Sequence, residues 1–296
     1  MKEFTYSLAL LLLSIQSCGI GSESADQLVD PIVIIEEKNI SDYKYSQDQN
    51  ANRVETRFPT PEGFNRTELD SGSFGTHLRN LELKPIGSVV KTYNGESKEN
   101  FGVYEAVVKL EIGKKDLHQC ADAVMRLRGD YLWESKRYDE IHFNFTNGFR
   151  VDYSEWMKGK RMVVKGNQTH WTQSGGSSNT YEDYWNYLEL IFTYAGSLSL
   201  SKELKSVDVN EMEIGDVFIY GGSPGHAVIV IDMCENPETG ERKFMLAQSY
   251  MPAQEIQVLS NPNSEEGDPW YSLNFEGELE TPEWTFDQTS LMRFTK

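Results

Sequence analysis

The sequence predicts an α+β domain in which a cysteine-bearing helix packs on an antiparallel β-sheet. Apolar residues recur at three- and four-residue spacing between residues 114 and 138, as they do on one face of an α-helix. Two apolar runs, at residues 228–231 and 244–250, predict strands, because the Asn, Pro, Thr and Gly residues between them favour a turn. These strands form an antiparallel ribbon, and the rest of the chain contributes shorter elements of both kinds.

The composition limits the classes of protein to which the chain can belong. It has 296 residues, 39% hydrophobic and 12% aromatic, which is enough to bury a core. Its net charge is -18, with a pI near 4.7. Binding to nucleic acid or to anionic lipid requires Lys and Arg to neutralise phosphate, so this charge argues against both kinds of partner.

The first 17 residues have the form of a signal peptide. Lys2 precedes an apolar run at residues 8–15, which is too short to span a bilayer, where about 20 residues are needed. The tripeptide Ser-Cys-Gly around Cys18 follows at once and resembles the bacterial lipobox, which implies cleavage before Cys18 and lipidation of its thiol. We therefore expect a lipoprotein of the cell envelope, periplasmic or surface-facing and bound to the membrane through a lipid anchor. The alternative is an ordinary secretory signal with an incidental cysteine.

A polar segment separates the signal peptide from the folded part of the chain. Residues 18–57 are rich in Ser, Asp, Gln and Asn, so we expect a disordered tether followed by a single domain at residues 58–296. In the domain, Asp116 lies in the first turn of the main predicted helix, where a negative charge suits the helix dipole. A second amphipathic helix is predicted at residues 184–194.

The ribbon carries the histidine with the most informative surroundings. Residues 221–225 contain three glycines and a proline, which exclude regular structure and allow a backbone or a substrate to come close. His226 follows directly and begins the first strand of the ribbon. Gln248 lies on the returning strand.

Cys120, His226 and Gln248 are the candidate catalytic residues. A thiol becomes a nucleophile when it loses its proton, and a helix N-terminus and a nearby imidazole both favour that loss. Cys120 would attack, His226 would accept and return the proton, and Gln248 would hold the ring, with Asp232 as a weaker candidate for that last role. Gln119, or a backbone amide near Cys120, could stabilise an oxyanion.

The ribbon is similar to the histidine motif of the CHAP amidohydrolase/peptidase family. The similar segments are GDVF at residues 215–218, the glycine-rich loop, and GHAVIV at residues 225–230. Relatives carry their third catalytic group on the next strand, where Gln248 stands here, and their cysteine often follows a glutamine, as Cys120 follows Gln119. The resemblance implies a papain-like fold and cofactor-free hydrolysis of amide bonds, with a peptide or glycopeptide of the cell envelope as partner. The whole chain also resembles a family of bacterial lipoproteins known as domain of unknown function 4846, which implies no activity.

Two features keep a second hypothesis open. The gap between Cys120 and His226 is much longer than in compact cell-wall peptidases, and the helix directly before the ribbon, at residues 184–194, has no cysteine. Cys120 also shares a helix face with Val124 and Leu127, which is typical of a buried and inert thiol. The alternative is a catalytically inactive envelope binding module on the same scaffold, and the third hypothesis is a purely structural lipoprotein.

Other signals are weaker. His142 and Asn144 share one face of a predicted strand and form an alternative histidine site. Cys234 lies beside a turn and is interpreted as incidental, so a disulfide with Cys120 is not favoured. The five histidines lack a close spacing such as His-x-x-x-His, and no metal site is predicted. Charged residues four apart on the main helix are expected to form surface pairs; these are Asp122, Arg126 and Asp130.

Overall fold

The strand His226–Glu235, β9 in chain order, lies within a nine-stranded sheet whose strand pairs are antiparallel. All its residues except the last are buried. Ala227 and Ile229 enter the hydrophobic core on one face of the sheet, and Val228 and Val230 enter a second core on the other. Because side chains alternate along a strand, burial on both faces explains the continuous apolar run of the sequence.

The computed structural model of the protein describes residues 46–295. The predicted signal peptide at residues 1–17, the lipidation site Cys18 and most of the tether lie outside the described residues. The first described helix, Val54–Arg57, begins four residues before the predicted start of the domain at residue 58. Both of its end residues are buried, so this part of the predicted tether packs against the domain.

The elements of the described part are as follows. The α-helices are α1 Val54–Arg57, α2 Phe74–Arg79, α3 Cys120–Glu134, α4 Tyr153–Met157, α5 Tyr181–Tyr194 and α6 Ser197–Glu203. The strands are β1 Asn65–Arg66, β2 Tyr104–Val107, β3 His142–Asn144, β4 Arg150–Asp152, β5 Lys160–Lys165, β6 Gln168–Gln173, β7 Lys205–Ser206, β8 Val217–Tyr220, β9 His226–Glu235, β10 Arg242–Gln248, β11 Gln257–Leu259, β12 Tyr271–Ser272, β13 Glu278–Glu280, β14 Thr285–Asp287 and β15 Leu291–Arg293.

The central sheet has the strand order β2-β11-β10-β9-β8-β15-β7, with β1 paired to β9 and β12 paired to β10. Residues of α3 and α5 share the first core with one face of β9. The predicted α+β class, with helices beside a large antiparallel sheet, is therefore confirmed. No helix within residues 46–295 combines the length and apolar character that crossing a bilayer requires.

The main helix, α3, begins at Cys120 and not at residue 114 as its periodicity predicted. Its first turn is fixed because the backbone N–H of Gln119 donates to Asp122 Oδ2 at 3.0 Å, which satisfies a donor at the helix end. Leu117, although in phase with the helix, belongs to the turn before it. As a result, Cys120 is the first residue of the helix.

The charged face of α3 is buried, which corrects the expectation of surface pairs. Asp122, Arg126 and Asp130 are 6%, 1% and 7% exposed. Arg126 Nε donates to Asp130 Oδ2 at 3.2 Å, and Tyr184 of α5 donates to Asp130 Oδ1 at 3.0 Å. The guanidinium of Arg126 also lies 4.8 Å from the ring centre of Trp185. The charged residues at four-residue spacing therefore lie where α3 contacts α5.

The elements absent from the sequence prediction include the helix α2 and the hairpin of β5 and β6. Helix α2 begins after Ser73, because the Ser73 hydroxyl accepts a hydrogen bond from the Thr76 backbone N–H at 3.2 Å. The strands of the β5–β6 hairpin meet at Gly166.

Candidate functional site

Cys120 is positioned by a loop that the end of β10 holds in place. The hydroxyl of Ser249, just after β10, lies 2.8 Å from the carbonyl oxygen of His118 and 2.7 Å from that of Gln254. Asp116 Oδ1 accepts the backbone N–H of Ala253 at 2.7 Å. These contacts fasten the residues that precede α3 to the sheet, so the first residue of the helix is held beside the ribbon.

His226 is positioned by the glycine-rich loop between β8 and β9. This loop packs on the N-terminus of α6, where a Cβ atom at Gly225 would lie 2.4 Å from Ser197 Oγ and 2.8 Å from the Tyr220 carbonyl oxygen. A Cβ atom at Gly221 would lie 2.1 Å from Ser201 Oγ. Only glycine fits these approaches. The loop therefore returns the chain so that His226 pairs with Tyr220 across the two strands.

Gln248 contacts the ring of His226. The Nε2 atom of His226 lies 2.7 Å from Gln248 Oε1, and this is the one hydrogen bond that the ring makes among the described residues. Three aromatic rings surround the imidazole, with centres 5.0 Å away for Tyr250, 5.3 Å for Trp284 and 6.0 Å for Phe286. The ring is thus fixed through Nε2 and by packing, and Nδ1 is left for another partner.

Cys120 and His226 line the same cavity, of about 550 Å³, which we call the cleft. Cys120 is partly exposed, whereas Val124 and Leu127 on the same helix are buried in the core. The backbone amide of Ala227, next to His226 in the chain, lies close enough to the thiol to favour the thiolate. The structure therefore brings the three predicted catalytic residues together: Cys120 and His226 line the cleft, and Gln248 is hydrogen-bonded to the histidine.

The walls of the cleft combine apolar groups with a carboxylate. Leu198 and Met251 are 38% and 64% exposed at its edge. Gln119, the predicted oxyanion-stabilising residue, also lines the cleft, and its Nε2 donates to Asp116 Oδ1 at 3.1 Å. Asp116 contributes a carboxylate to the cleft, whereas burial raises the pKa of Asp122 well above its usual range. No Lys or Arg lies among the lining residues that the structure describes. Such a cleft suits a neutral or cationic molecule better than an anionic one.

The two reactive groups are held in their neutral forms. Burial raises the pKa of the Cys120 thiol to about 11, against the opposing effect of the Ala227 amide. Burial also lowers the pKa of His226 to about 4, although its hydrogen bond to Gln248 raises that pKa in part. The resting state near pH 7 therefore has a neutral thiol and a neutral imidazole in the same cleft. A neutral imidazole is the form that can accept a proton, and a neutral thiol is the form that can give one.

Two predicted roles on β9 need correction or closer description. Asp232, the weaker candidate for holding the histidine, instead binds Arg66 and Arg79, with Oδ–Nε distances of 2.7 Å for each. It is fully buried and does not contact His226. Cys234 is buried in the core, and both Cys120 and Cys234 are free thiols.

The alternative histidine site has no room for a ligand. His142 Nε2 lies 3.6 Å from Glu203 Oε1, and the backbone N–H of Asn144 donates to Glu203 Oε2 at 2.8 Å. Burial raises the pKa of Glu203 to about 7 and lowers that of His142. The adjoining cavity is only about 20 Å³. Within residues 46–295, no group of three or more His, Cys, Asp or Glu side chains is placed to hold a metal ion.

Two residues near the site escaped sequence reasoning. Gln248 Nε2 donates to Glu283 Oε2 at 2.7 Å, and Lys98 Nζ lies 2.6 Å from the same oxygen. The side chains of Lys98 and Glu283 are only 6% and 10% exposed. Glu283 follows a proline and precedes Trp284, a residue that lines the cleft, but no periodic pattern relates it to His226. Lys98 comes from a loop more than a hundred residues earlier and carried no signal.

Comparison with known proteins yields one family. A family model described as "Domain of unknown function (4846)" matches residues 54–293, from the first residue of α1 to the last residue of β15. No curated protein and no solved structure matches the chain. The match covers the whole described fold and supplies no activity for the cleft.

Proposed function

The chain belongs to the family of domain of unknown function 4846, and from the geometry of its cleft we propose that it is a papain-like thiol hydrolase of amide bonds. The observation that carries the proposal is the shared cleft of Cys120 and His226, with Gln248 hydrogen-bonded to Nε2 of the ring. The nucleophile begins a helix, the base begins a strand, and the group that holds the base ends the next strand. A papain-like hydrolase uses this order of elements.

The substrate class follows from the cleft and from the N-terminal sequence. We propose that Cys18 is lipidated and that the domain works in the cell envelope, on peptides or glycopeptides of the cell wall. Such peptides offer amide bonds outside the cytoplasm, where the signal peptide would send the chain. The cavity of about 550 Å³ is large enough to hold several residues of a peptide. No cofactor and no nucleic acid takes part in this reaction.

The reaction would proceed in two half-reactions. The Cys120 sulfur attacks the carbonyl carbon while its proton moves to Nδ1 of His226. The carbon–nitrogen bond then breaks, the imidazolium gives its proton to the leaving amine, and a thioester remains on Cys120. A water molecule next attacks the thioester, gives one proton to His226 and releases the acid. The thiolate takes that proton back, so the net change is hydrolysis of one amide bond by one water.

The developing oxyanion would be stabilised at the N-terminus of α3. The backbone N–H of Cys120 belongs to the first turn of the helix, where such groups have no partner within the helix. The helix dipole also favours negative charge there. Gln119 contributes an amide N–H from the same side of the cleft, and Asp116 holds that amide. Removal of one oxyanion donor typically costs about 10²–10³ in kcat, which gives the scale expected for Gln119→Ala.

Hydrolysis of a mixture of cell-wall stem peptides, followed by mass spectrometry, tests the proposal. The full chain should release new amino and carboxyl termini, and Cys120→Ala should lower the rate by about 10³-fold or more, because the nucleophile is lost. Cys234→Ala is the matched control, since it removes a free thiol that does not line the cleft. Undiminished cleavage by Cys120→Ala would refute the proposal.

One observation favours the second candidate function, a binding module without catalysis. Burial raises the pKa of the Cys120 thiol, and no cation among the described lining residues offsets that effect. In this case the full chain would bind stem peptides in isothermal calorimetry without cleaving them, and Cys120→Ala would bind with unchanged affinity. Substitution of Trp284, which lines the cleft beside His226, would weaken that binding.

A further inference from the structure

A buried row of polar side chains continues from His226 away from the cleft. It runs from the imidazole to Gln248, from Gln248 to Glu283 and from Glu283 to Lys98, with successive distances of 2.7, 2.7 and 2.6 Å. We propose that Glu283, with its charge balanced by Lys98, is a positioning residue that fixes the orientation of the Gln248 amide and thereby the tautomer of His226. This inference rests on the proposed thiol hydrolase function and names residues that act behind its base.

The first step concerns the amide of Gln248. Its oxygen can only accept hydrogen bonds and its nitrogen can only donate them, and in shape the two ends are nearly the same. An ionised carboxylate accepts hydrogen bonds and cannot donate them. Glu283 therefore requires the Gln248 nitrogen to face it, and the Gln248 oxygen must then face His226. This is the arrangement that the 2.7 Å contacts on either side of the amide show.

The second step concerns the imidazole. An amide oxygen opposite Nε2 can only accept, so Nε2 must carry the hydrogen. In a neutral ring, which carries one hydrogen, Nδ1 is then bare. Nδ1 is also the nitrogen without a hydrogen bond among the described residues. The bare nitrogen is the one that can take a proton from the Cys120 thiol.

The third step concerns the groups that compensate the largely buried carboxylate of Glu283. A buried carboxylate keeps its charge only when a partner compensates for the loss of water. Lys98 Nζ supplies that partner at 2.6 Å, and Asn100 Nδ2 lies 3.4 Å from the other carboxylate oxygen. The Lys98 ammonium also lies 5.1 Å from the ring centre of Tyr250, a ring that contacts His226 edge-on. Lys98 therefore compensates the charge of Glu283, and the Glu283 carboxylate orients the amide of Gln248.

Loss of the Glu283 carboxylate would remove the group that fixes the orientation of the Gln248 amide. With an amide at position 283, the Gln248 side chain is free to turn so that its nitrogen donates to Nε2 of His226. The ring hydrogen would then move to Nδ1, and the neutral ring could no longer accept a proton from Cys120. In a serine protease the wrong tautomer of the catalytic histidine lowers kcat by about 10⁴-fold. A mixture of the two orientations would give a smaller loss here.

Nitrogen-15 NMR of the histidines tests the inference, because a bare and a protonated ring nitrogen differ widely in chemical shift. The full chain, labelled at histidine and held at pH 7, should show His226 with the hydrogen on Nε2; a His226→Gln spectrum identifies its signals. In Glu283→Gln, the Nδ1-protonated form should appear. The same signals in Glu283→Gln as in the wild type would overturn the inference.

The matched control is Glu255→Gln. Glu255 is a largely buried carboxylate that pairs with Lys84 and does not contact His226, so its loss should leave the tautomer unchanged. Since Glu283→Gln leaves Lys98 buried without its partner, the double variant Lys98→Met/Glu283→Gln provides a second test. It removes both charges, and it should show the same change of tautomer. An unchanged tautomer in the folded double variant would also contradict the inference.

Kinetics separate this inference from the proposed function. If the stem peptides are cleaved, Glu283→Gln should lower kcat by about tenfold or more with little change in KM, because it alters the base and not the cleft. Glu255→Gln should keep full activity. An absence of cleavage by the wild type, together with the predicted tautomer change, would reject the hydrolase and keep the positioning role. Cleavage of the stem peptides by the wild type, together with an unchanged tautomer in Glu283→Gln, would keep the hydrolase and reject the positioning role.

Discussion

A titratable side chain lies near each end of β9, and the two side chains differ in their hydrogen-bond partners and in their access to a cavity. At its start, His226 lines a cavity and has a single hydrogen-bonded partner within residues 46–295. Towards its end, Asp232 has both carboxylate oxygens occupied, by Arg66, by Arg79 and by the backbone N–H of Met233 at 2.9 Å. A cysteine accompanies each group: Cys120 lines the cavity at one end, and Cys234 is fully buried at the other.

The difference shows how a structural polar cluster is distinguished from a functional one. Around Asp232 both carboxylate oxygens accept hydrogen bonds from within the protein, as the burial of a charge requires. At His226 one ring nitrogen is used, the other has no hydrogen bond among the described residues, and the partly exposed Cys120 lines the same cavity. A polar group that stays available next to a cavity is the feature that we expect at a functional site.

The largest expected effect is the contrast in reactivity between the two thiols. Iodoacetamide should modify Cys120 of the native chain by way of the cleft, whereas Cys234 becomes accessible only when the core opens. Because opening a stable core costs 5 kcal/mol or more, Cys234 should react about 10³-fold more slowly or worse. Peptide mapping by mass spectrometry resolves the two sites. Equal alkylation rates for Cys120 and Cys234 under native conditions would contradict the difference between the two ends of β9.

The next effect concerns stability at the sealed end. Asp232→Ala should lower the free energy of unfolding by about 3–5 kcal/mol, because it leaves two largely buried guanidinium groups without their carboxylate. Urea denaturation followed by circular dichroism measures it. Glu213→Ala, which breaks a pair whose carboxylate side chain is 68% exposed, is the control and should change stability by less than about 1 kcal/mol. A similarly small change for Asp232→Ala would contradict the assigned structural role.

A smaller effect is expected from acid at the open end. The pKa of His226 is lowered to about 4 in the folded chain, so the unfolded chain binds more protons between pH 6.5 and 4. The contribution of the neutral ring to the free energy of unfolding is therefore fully present above pH 6.5. It is lost as the pH falls from 6.5 to 4, and the loss is about 3 kcal/mol at 1.36 kcal/mol per pKa unit.

The comparison with His226→Gln isolates this contribution. His118, fully buried and with its pKa lowered to about 3, destabilises both proteins in acid. His226→Gln should therefore lose less stability than the wild type between pH 6.5 and 4 in urea denaturation. Parallel stability curves would show that His226 is not held neutral by the fold.

The smallest effect concerns the charge of the substrate. Asp116 places a carboxylate in the cleft and no described lining residue is a cation, so a Glu residue beside the cleaved bond should lower kcat/KM by about tenfold relative to Lys. Asp116→Asn should narrow this preference while it keeps an oxygen to accept the Ala253 N–H. A preference for the Glu peptide would contradict the assigned electrostatics of the cleft.

The sequence predicted the ribbon and its polar residues because local chemistry determines them. A β-branched run bounded by glycines, a proline and a turn leaves few alternatives to two paired strands. Within such a ribbon, alternation restricts the faces on which His226 and Gln248 point. The family resemblance to domain of unknown function 4846 was confirmed, whereas the catalytic roles of Cys120, His226, Gln248 and Gln119 and the lipidation of Cys18 stay predictions.

The features that the sequence did not predict depend on contacts between segments that are distant in the chain. Apolar spacing extended α3 back to residue 114, since Leu117 is in phase with the helix although it lies in the turn before it. The charges of Arg126 and Asp130 resembled a solvent-exposed face because spacing alone does not reveal that α5 covers them. Lys98 and Glu283 come from loops at opposite ends of the domain, and only folding brings them to Gln248.

The central claim is that Cys120 and His226 act as a pair. The most direct test is the second-order rate constant for alkylation of Cys120 at pH 7, measured by peptide mapping in the wild type and in folded His226→Gln. The pair predicts a fall of at least about tenfold in His226→Gln, because the thiol loses the base that accepts its proton. The same rate constant in both proteins would contradict the claim.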